Sequence, residues 1–502
     1  MRVESSVEVR TDLLRRRGAV QAGRAHGTRG SASVRTRSGT IGASGARPRE
    51  APQNSRARLV GRPRQRVLVL LAAGVQAVFM GTAHAQPTAV QPEPGVNEAS
   101  TTAHETFSVG YTVTIEPDNP TVARVRWDLA GVDELERVRL SVDDGFSDFA
   151  ASGTLERRDR DLLWWPGGPY AHLTYRVLLN HRRSPNKGYD SYATGDWVVS
   201  RTSNLFPRAA ALFRPDVESA PESRARLLFH LPPRWEAATV MPREGASSFV
   251  VESAGSFDHP RGWLMLGHFQ RYDVEAGGTS ITIVAAPAVT HQLQPIGQLI
   301  ARALPEMRKL FGRMPEHLLI ITAPDPMWRG GLSGEDSFYI HSDRPLRTPD
   351  KSSPYLHELF HVAAPFRPAR DGRWITEGLA ELYSVEIQRR LGLIDQAAVD
   401  RALRLFSRHG LWGHDFTRTS DSALRNNSAP LVLYALDQQI RISSGGVRSL
   451  DTAVKEMAAS GGTVSTARFL HGVEGAAGGS LDAFFRRHVY GGEQPAVAGV
   501  GG

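Results

Sequence analysis

The chain contains no cysteine among its 502 residues. Disulfide bonds and thiolate metal ligands are therefore excluded, so any metal site must be built from imidazole and carboxylate groups. A lipid anchor on an N-terminal cysteine is excluded for the same reason. Export stays open, because exported bacterial proteins can do without disulfides.

A basic folded surface is also missing, although the formal charge of the chain is +8. Residues 1–66 hold 16 arginines and only four acidic residues, a net charge of +12. Of the 60 basic and 52 acidic side chains, 44 and 48 remain for residues 67–502, a net charge of −4. The basicity lies in the leader, so we expect no nucleic-acid partner.

Long apolar runs are absent except at 67–80, which follows a basic segment with Arg62, Arg64 and Arg66. Small residues then flank His84, as at a signal-peptidase site. This pattern predicts a secretory signal peptide, cleaved after Ala85, and a periplasmic or secreted protein without a stable membrane span. An uncleaved anchor is the alternative, but the run is marginally short for crossing a bilayer.

Period-two alternation, as in FSVGYTVTI and ARVRWDL, predicts strands in the first half of the chain. Helical spacing dominates the second half. The predicted fold class is therefore α+β multidomain, with a β-sandwich-like domain followed by a mainly helical one. The predicted organisation is a disordered extension or mis-set start at 1–60, the signal peptide at 61–85, a linker at 86–105, the β-rich domain at 106–287, the helical domain at 288–492 and a flexible tail at 493–502.

Within the second half, the pattern predicts individual elements. The predicted helices span 296–312, 351–364, 374–391, 395–409, 430–443, 449–459 and 480–489. A buried strand is predicted at 317–324, and a loop feeding an edge strand at 330–342. The segment SFYIHS at the end of that loop is the candidate edge for pairing with a peptide.

The segment HELFH places His357 and His361 four residues apart, with Glu358 between them. On a helix, residues i and i+4 share a face, so the two imidazoles can bind one cation. Zinc accepts such ligands and leaves a position for water. Glu358 is then placed to take a proton from that water.

A second helix is predicted to begin near Trp374, after two prolines and a turn. Its Glu377 can supply the third ligand to a single Zn²⁺ ion. Glu381 lies one turn further along the same face, where it can hold the other nitrogen of a ligand histidine. The alternative is a pair of ordinary amphipathic helices with exposed glutamates.

These segments carry a family resemblance. HELFH followed by WITEGLAELY resembles the gluzincin zinc metallopeptidases. The stretches APLVLYALDQQIRISSGGVRSLDTAVKEM (429–457) and SLDAFFRRHVYGGEQP (480–495) resemble the glycyl aminopeptidase family within that group, without its C-terminal PDZ domain. The resemblance implies a thermolysin-like catalytic domain and zinc peptidase chemistry on peptide or protein substrates.

The resemblance also identifies candidate substrate-binding residues: Gly330, Gly331, Leu332, Ser333 and Glu335. The first three match the family's Gly-Gly-Leu, but Ser333 stands where the family has the glutamate that binds a substrate amine. Glu335 comes two residues later and, on a strand, shares a face with that position. Recognition of a free amino terminus is therefore expected to be altered.

A further departure concerns the oxyanion donor. Related enzymes have a tyrosine where this chain has Asn426. We consider Asn426 and Arg425 as candidate catalytic donors, since loss of such a donor costs about 10²–10³ in rate. His414 and Tyr434 are alternatives that are more often structural.

The sequence therefore predicts an exported zinc-dependent peptidase with Glu358 as general base. Its specificity is expected to be aminopeptidase-like with altered amine recognition, and endopeptidase activity is left open. The alternative is a catalytically impaired, zinc-containing peptide-binding protein of the cell envelope.

Overall fold

The structure, a computed structural model, describes residues 106–184, 187–216, 221–252, 257 and 259–497. The predictions for 1–60, 61–85 and 86–105 therefore lie outside the described residues. Within the described ranges, no helix is both long and apolar enough to cross a membrane.

The N-terminal region is β-rich. Its strands are β1 (Thr106–Ile115), β2 (Val122–Ala130), β3 (Leu135–Ser141), β4 (Phe146–Ala151), β5 (Thr154–Arg158), β6 (Asp161–Trp165), β7 (Tyr170–Leu178), β8 (His181–Arg182), β9 (Tyr189–Ala193), β10 (Trp197–Arg201), β11 (Arg208–Phe213), β12 (Glu222–His230), β13 (Glu236–Thr239), β14 (Ser248–Val251) and β15 (Trp263–Gly267). One short helix, α1 (Thr202–Leu205), follows β10.

These strands form three sheets, with the orders β14-β12-β1-β2-β7-β4, β13-β15-β10-β9-β8 and β11-β3-β6-β5. The alternation in sequence becomes alternation in burial, because successive side chains point to opposite faces of a strand. In β2, for example, Val125 and Trp127 are fully buried, whereas Arg124 and Arg126 are exposed. The indole of Trp127 donates a hydrogen bond to the hydroxyl of Tyr175 at 3.1 Å, which satisfies a polar group in the core.

The C-terminal region contains one mixed sheet and most of the helices. Its strands are β16 (Gln270–Ala276), β17 (Thr279–Ala285), β18 (His317–Ala323), β19 (Gly331–Gly334), β20 (Ser337–His341), β21 (Phe366–Pro368) and β22 (Gly462–Val464). Its helices are α2 (Gln294–Phe311), α3 (Pro354–Ala363), α4 (Arg373–Arg390), α5 (Gln396–His409), α6 (Ala429–Ser443), α7 (Leu450–Ser460), α8 (Thr466–Ala477) and α9 (Asp482–Phe485). A 3₁₀ turn (Arg370–Gly372) and two π-helical segments (Leu424–Ser428 and Arg486–Tyr490) complete it.

The predicted helices are present, and α3 to α7 begin and end within three residues of the predicted bounds. The segment predicted as one helix at 480–489 is instead α9 followed by π-helical backbone. Besides the four-residue helix α1, one helix, α8, was not predicted. Its signals are an N-cap at Ser465, whose side chain accepts from Arg468 N–H, and Gly478 in the left-handed conformation at its end.

The mixed sheet has the order β16-β17-β18-β20-β19. The β-rich domain is predicted above to extend to residue 287, but β17 pairs in parallel with β18 of this sheet. Period-two alternation reports a half-buried strand and says nothing about its partner, so sheet membership is decided by tertiary structure.

The prediction that SFYIHS is the edge strand is wrong. Strand β20 pairs with β18 on one side and β19 on the other, and all five of its residues are buried. The edge strand next to β20 is β19, the glycine-rich GLSG segment, and β16 forms the opposite edge. A glycine-rich run lacks the apolar strand pattern, which is why the sequence alone suggests a loop there.

Candidate metal and substrate site

Helix α3 places the two histidines on one face. Ser353 caps the helix by accepting from Leu356 N–H, and Pro354 occupies its first turn. The Nε2 atoms of His357 and His361 lie 3.2 Å apart, with the rings at 71° to each other. Both Nε2 lone pairs can therefore be directed at one point in front of α3.

Helix α4 supplies a carboxylate to the same point. The Glu377 oxygens lie 3.7 Å from Nε2 of His357 and 3.8 Å from Nε2 of His361. Zinc–ligand bonds of about 2.0–2.1 Å place tetrahedral ligand atoms roughly 3.3 Å apart, close to these separations. The residues therefore fit a zinc ion with three protein ligands and one open position.

Glu381, one turn along α4, lies behind the first histidine. Its Oε2 atom is 2.8 Å from Nδ1 of His357, and both side chains are 13% exposed. The carboxylate favours the tautomer with the proton on Nδ1, which leaves Nε2 free as a ligand atom. This is the role that the helical spacing predicts.

The charges of the three ligand residues suit a cation. Burial raises the pKa of Glu377, but the two histidines outweigh it and lower that pKa to about 2. Burial lowers the pKa of His361 to about 4. Burial also disfavours protonation of His357, but hydrogen bonds to Glu377 and Glu381 raise its pKa well above the ordinary value. A bound metal would replace that proton.

Glu358 is almost fully buried against the edge strand of the sheet, at 8% exposure. Burial raises its pKa to about 7, partly offset by His357, Arg201 and a hydrogen bond from Ser333 N–H. A general base works best with a pKa near the operating pH. A nearby cation would lower this pKa and favour the carboxylate form.

Gly331 makes the close approach of Glu358 to β19 feasible. A Cβ atom at this position would lie 2.7 Å from Cγ and 2.8 Å from Cδ of Glu358. Real Cβ contacts are not that short, so a side chain at Gly331 would displace the carboxylate. The glycine therefore sets the gap between α3 and the sheet edge.

The other predicted substrate residues lie along the same hairpin. Gly330 and Leu332 flank Gly331, and a Cβ atom at Gly330 would lie 3.0 Å from Cε2 of Trp328. Glu335 lies in the turn after β19, where its carboxylate is 3.5 Å from Arg261. The structure thus brings Gly331 and Ser333 to Glu358, while the charge of Glu335 is directed to Arg261.

The candidate oxyanion donors lie in the π-helical segment before α6. Nη2 of Arg425 donates to the carbonyl of Ser420 at 2.7 Å, so this guanidinium is held by its own loop. Its charge still contributes to lowering the pKa of Glu377. Asn426 is exposed. The loop lies near α4 because Gly378 has no side chain: a Cβ atom there would lie 2.8 Å from Ala429.

The two alternative donors are engaged elsewhere. His414 is exposed, and its backbone packs against Gly492. Tyr434 packs on a separate apolar cluster that includes Val399 and Phe406. Neither residue is part of the metal-binding cluster.

Sequence reasoning missed Arg201, whose charge acts on Glu358. It is the last residue of β10, far from HELFH in sequence, and stacks on Trp263. No local motif marks it, because its position depends on how the β-rich region packs on the mixed sheet.

A second group of metal-ligating types, Asp325, His341 and Asp343, forms an ion-pair network. The N–H of Asp343 donates to Nδ1 of His341 at 3.1 Å, so the neutral ring carries its proton on Nε2, 3.4 Å from Asp325. Arg329 pairs with both aspartates. A cation would need the Nε2 lone pair and the place of Arg329, so these contacts oppose a metal site.

No protein-family model matches the sequence, and no curated protein matches it. Solved structures do match the fold. An aminopeptidase N family protein from Idiomarina loihiensis matches with a TM-score of 0.61 and 15% identity, over 78% of this chain and 77% of that chain. An M1 zinc metallopeptidase from Deinococcus radiodurans matches with a TM-score of 0.51 and 17% identity, over 78% and 94%.

A mutant of an M1 zinc metallopeptidase from Deinococcus radiodurans, bound to a Tyr-ser-ala substrate, matches with a TM-score of 0.53 and 15% identity, over 78% of this chain and 95% of that chain. At such identities the likeness shows the fold alone. The chain has the fold of these zinc metallopeptidases, with a β-rich N-terminal region and a helical C-terminal region. The fold implied by the gluzincin resemblance is confirmed at this level.

Proposed function

We propose that the protein is a zinc-dependent peptidase whose helical region is a thermolysin-like catalytic domain. The observation that carries this proposal is the convergence of His357, His361 and Glu377 within 4.8 Å of one another, with Glu358 beside them. Separate elements, α3 and α4, supply these groups, and a buried glutamate with a pKa of about 7 has no evident structural purpose there.

Zinc bound by these three residues would supply a Lewis acid that polarises a carbonyl and acidifies water. Glu358 accepts the proton of the attacking water and then donates it to the leaving amine. Glu381 keeps His357 oriented through Nδ1. Glu358 is buried where α3 contacts β19, and this burial raises its pKa toward the range of a general base.

We propose that a peptide substrate pairs with the unpaired side of β19. Unpaired main-chain groups on an edge strand can pair with an extended peptide. Such pairing would place the peptide along Gly331–Gly334, next to Glu358. Ser333 has no carboxylate that could bind the free amino group of a substrate. The site is therefore compatible with both exo- and endopeptidase activity.

The test is hydrolysis of a peptide library by zinc-loaded protein, compared with the variant Glu358→Gln. We expect the variant to retain zinc and to lose about 10²–10⁴ in kcat. Glu456→Gln, on the exposed face of α7, is the matched control and should leave activity unchanged. Equal hydrolysis by parent and Glu358→Gln, with equal zinc content, would falsify the proposed mechanism.

A second candidate is a zinc-containing peptide-binding protein with impaired catalysis. The observation in its favour is that Asn426 is exposed and the Arg425 guanidinium donates to backbone carbonyls of its own loop. Matched unblocked and N-acetylated peptides separate the options. Cleavage of unblocked peptides alone supports an aminopeptidase, cleavage of both an endopeptidase, and binding without cleavage the second candidate.

We also propose that the protein is exported. The support is the basic segment, apolar run and small-residue cleavage site at 61–85. Expression in a bacterial host with N-terminal sequencing of the periplasmic or secreted product tests this. A mature terminus at Gln86 is expected, and a cell-associated chain that keeps residues 61–85 would contradict it.

A further inference from the structure

Arg201 is a half-buried cation that forms no ion pair with the described residues. Its Nε atom is buried and has no hydrogen-bond partner among the described residues, and the described ion pairs do not include its guanidinium. The guanidinium carbon lies 4.8 Å from the ring centroid of Trp263, across the β10–β15 pair. Stacking explains where the side chain lies, but it leaves the hydrogen-bond donors unused.

The stack lies against the strand that borders the candidate active site. A Cβ atom at Gly334, the last residue of β19, would lie 2.7 Å from Cδ1 of Trp263. Gly334 directly follows Ser333, whose backbone N–H helps to lower the pKa of Glu358. The indole therefore connects Arg201 to the segment of β19 that contacts the general base.

The charges around Arg201 do not neutralise it. Asp190 and Glu358 are the acids that act on it, and Arg183 opposes them. Asp190 is already paired with Nδ1 of His181 at 2.6 Å. Glu358 is the proposed base. The guanidinium therefore has spare capacity for one more carboxylate.

Two further cations, Arg183 and Lys187, lie near the other end of β19. The Arg183 guanidinium and the Lys187 ammonium lie 5.2 Å and 5.5 Å from the ring of Trp328. Trp328 packs against Gly330, the residue directly before β19. A peptide paired with β19 would therefore face basic groups contributed by the β-rich region.

The position along the peptide follows from Ser333. The family resemblance places recognition of the substrate amine at this residue, on the amino-terminal side of the scissile bond. Here Ser333 supplies no carboxylate, and the charge of Arg201 acts on Glu358 next to it, so Arg201 adds positive charge at this position. A protonated amine is disfavoured, and a carboxylate is favoured, by the same field.

Resting on the proposed peptidase function, we propose that Arg201 is a specificity-determining residue. It binds the carboxylate of an aspartate or glutamate side chain in the peptide residue that precedes the scissile bond. A guanidinium suits this task because its planar donors match a carboxylate bidentately. The substrate class is thus acidic peptides, and a free amino terminus is not needed.

The experiment uses N-acetylated quenched peptides that are identical except for Glu, Gln or Lys before the scissile bond. With zinc-loaded protein we expect kcat/KM for the Glu peptide to exceed that for the Gln peptide by about 10- to 100-fold, the range of a buried charged contact. Arg201→Gln should bring this ratio close to one, and Arg201→Lys should keep part of it. Arg126→Gln, at an exposed ion pair in β2, is the matched control.

A Glu-to-Gln ratio near one in the parent, or a ratio unchanged in Arg201→Gln, overturns the proposal. Thermal unfolding of each variant verifies the fold, and Arg201→Lys keeps the test valid if the glutamine variant is unfolded. The ratio of two substrates on one variant also separates specificity from a general loss of active protein.

Failure of the proposed function gives a different result. If the zinc-loaded parent hydrolyses none of the peptides, calorimetric binding of the Glu and Gln peptides to Glu358→Gln protein decides about Arg201. Tighter binding of the Glu peptide, by about tenfold or more, that disappears in the double variant with Arg201→Gln supports the inference. Equal binding of both peptides, or no binding of either, overturns it.

Discussion

Two walls meet at the candidate site, where Glu358 of α3 contacts Gly331 of β19, and they carry opposite charges. The wall formed by α3 and α4 holds the carboxylates of Glu358, Glu377 and Glu381 around two imidazoles. The wall formed by β10, β15 and β19 holds Arg201, stacked on Trp263, and no carboxylate at Ser333. The first wall suits a cation and proton transfer, and the second suits an anionic group of a substrate.

The walls also differ in how they are built. The wall formed by α3 and α4, here called the metal wall, depends on two histidines four residues apart on α3 and on the packing of α3 against α4. The wall formed by β10, β15 and β19, here called the substrate wall, depends on three segments that are distant in sequence. They meet only because the β-rich region packs on the mixed sheet. Variants that alter one wall and leave the other intact therefore separate metal binding from substrate recognition.

The largest effect is expected from Glu377→Ala, which removes a ligand from the metal wall. Two histidines alone leave the site short of the three protein ligands that zinc sites use, so bound zinc and hydrolysis should both fall below detection after dialysis. Metal analysis and peptide assays measure this. Glu386→Ala, on the same helix and away from the cluster, is the control; full zinc content in Glu377→Ala would contradict the ligand assignment.

Gly331→Ala tests the gap between the walls. The new Cβ would meet Glu358, and displacing a catalytic group by about 1 Å can cost about 10²-fold in rate. Zinc content should stay unchanged, so kcat falls without metal loss. Gly472→Ala, where a Cβ meets nothing within 4 Å, is the matched control. Unchanged kcat in Gly331→Ala would show that Glu358 need not approach β19.

Glu381→Gln sharpens the metal wall further. The amide keeps the size of the side chain but weakens its hold on Nδ1 of His357, and such changes lower metal affinity by about 10- to 100-fold. Competition with a chelator measures the zinc Kd in parent and variant. An equal Kd would mean that Glu381 serves packing rather than orientation of the ligand.

The smallest effect on hydrolysis is expected from Asp451→Asn, which tests the far end of α4. Asp451 accepts from Tyr383 at 2.6 Å and from Arg390 at 2.9 Å. Loss of these charged hydrogen bonds should cost about 2 kcal/mol of unfolding free energy, measured by urea denaturation. Tyr383→Phe, which removes one bond and keeps the acid, should cost less.

The loss of stability in Asp451→Asn is expected to depend on pH. Burial raises the pKa of Asp451, but Arg390 outweighs it and holds the pKa below its usual range. A carboxylate whose pKa is lowered in the folded state stabilises the fold at pH values above its pKa in the unfolded chain, which is about 3.9. This stabilisation is lost as the pH falls through the pKa of the folded state. The difference between parent and Asp451→Asn should therefore persist from pH 7 to about 4 and shrink below that. A constant difference would contradict the ion pair.

Much of the metal wall could be predicted from local pattern. The i, i+4 rule places His357 and His361 together on any helix, and the turn after Pro365 makes an antiparallel return with Glu377 the simple arrangement. The substrate wall could not be predicted in this way. The GLSG segment has no strand signal, and its neighbour SFYIH looks like an edge although it is paired on both sides.

Sequence by itself determined the chemistry that this protein can bring to a metal: no thiolates, two histidines one helical turn apart, and glutamates at the spacing of a second helix. These features follow from residue types and helix periodicity, which are local. Only the tertiary structure decided that β19 lies at an edge of the sheet, that Gly331 leaves room for Glu358, and that the charge of Arg201 acts on Glu358. Those depend on strand pairing and close packing between distant segments, which period and composition do not encode.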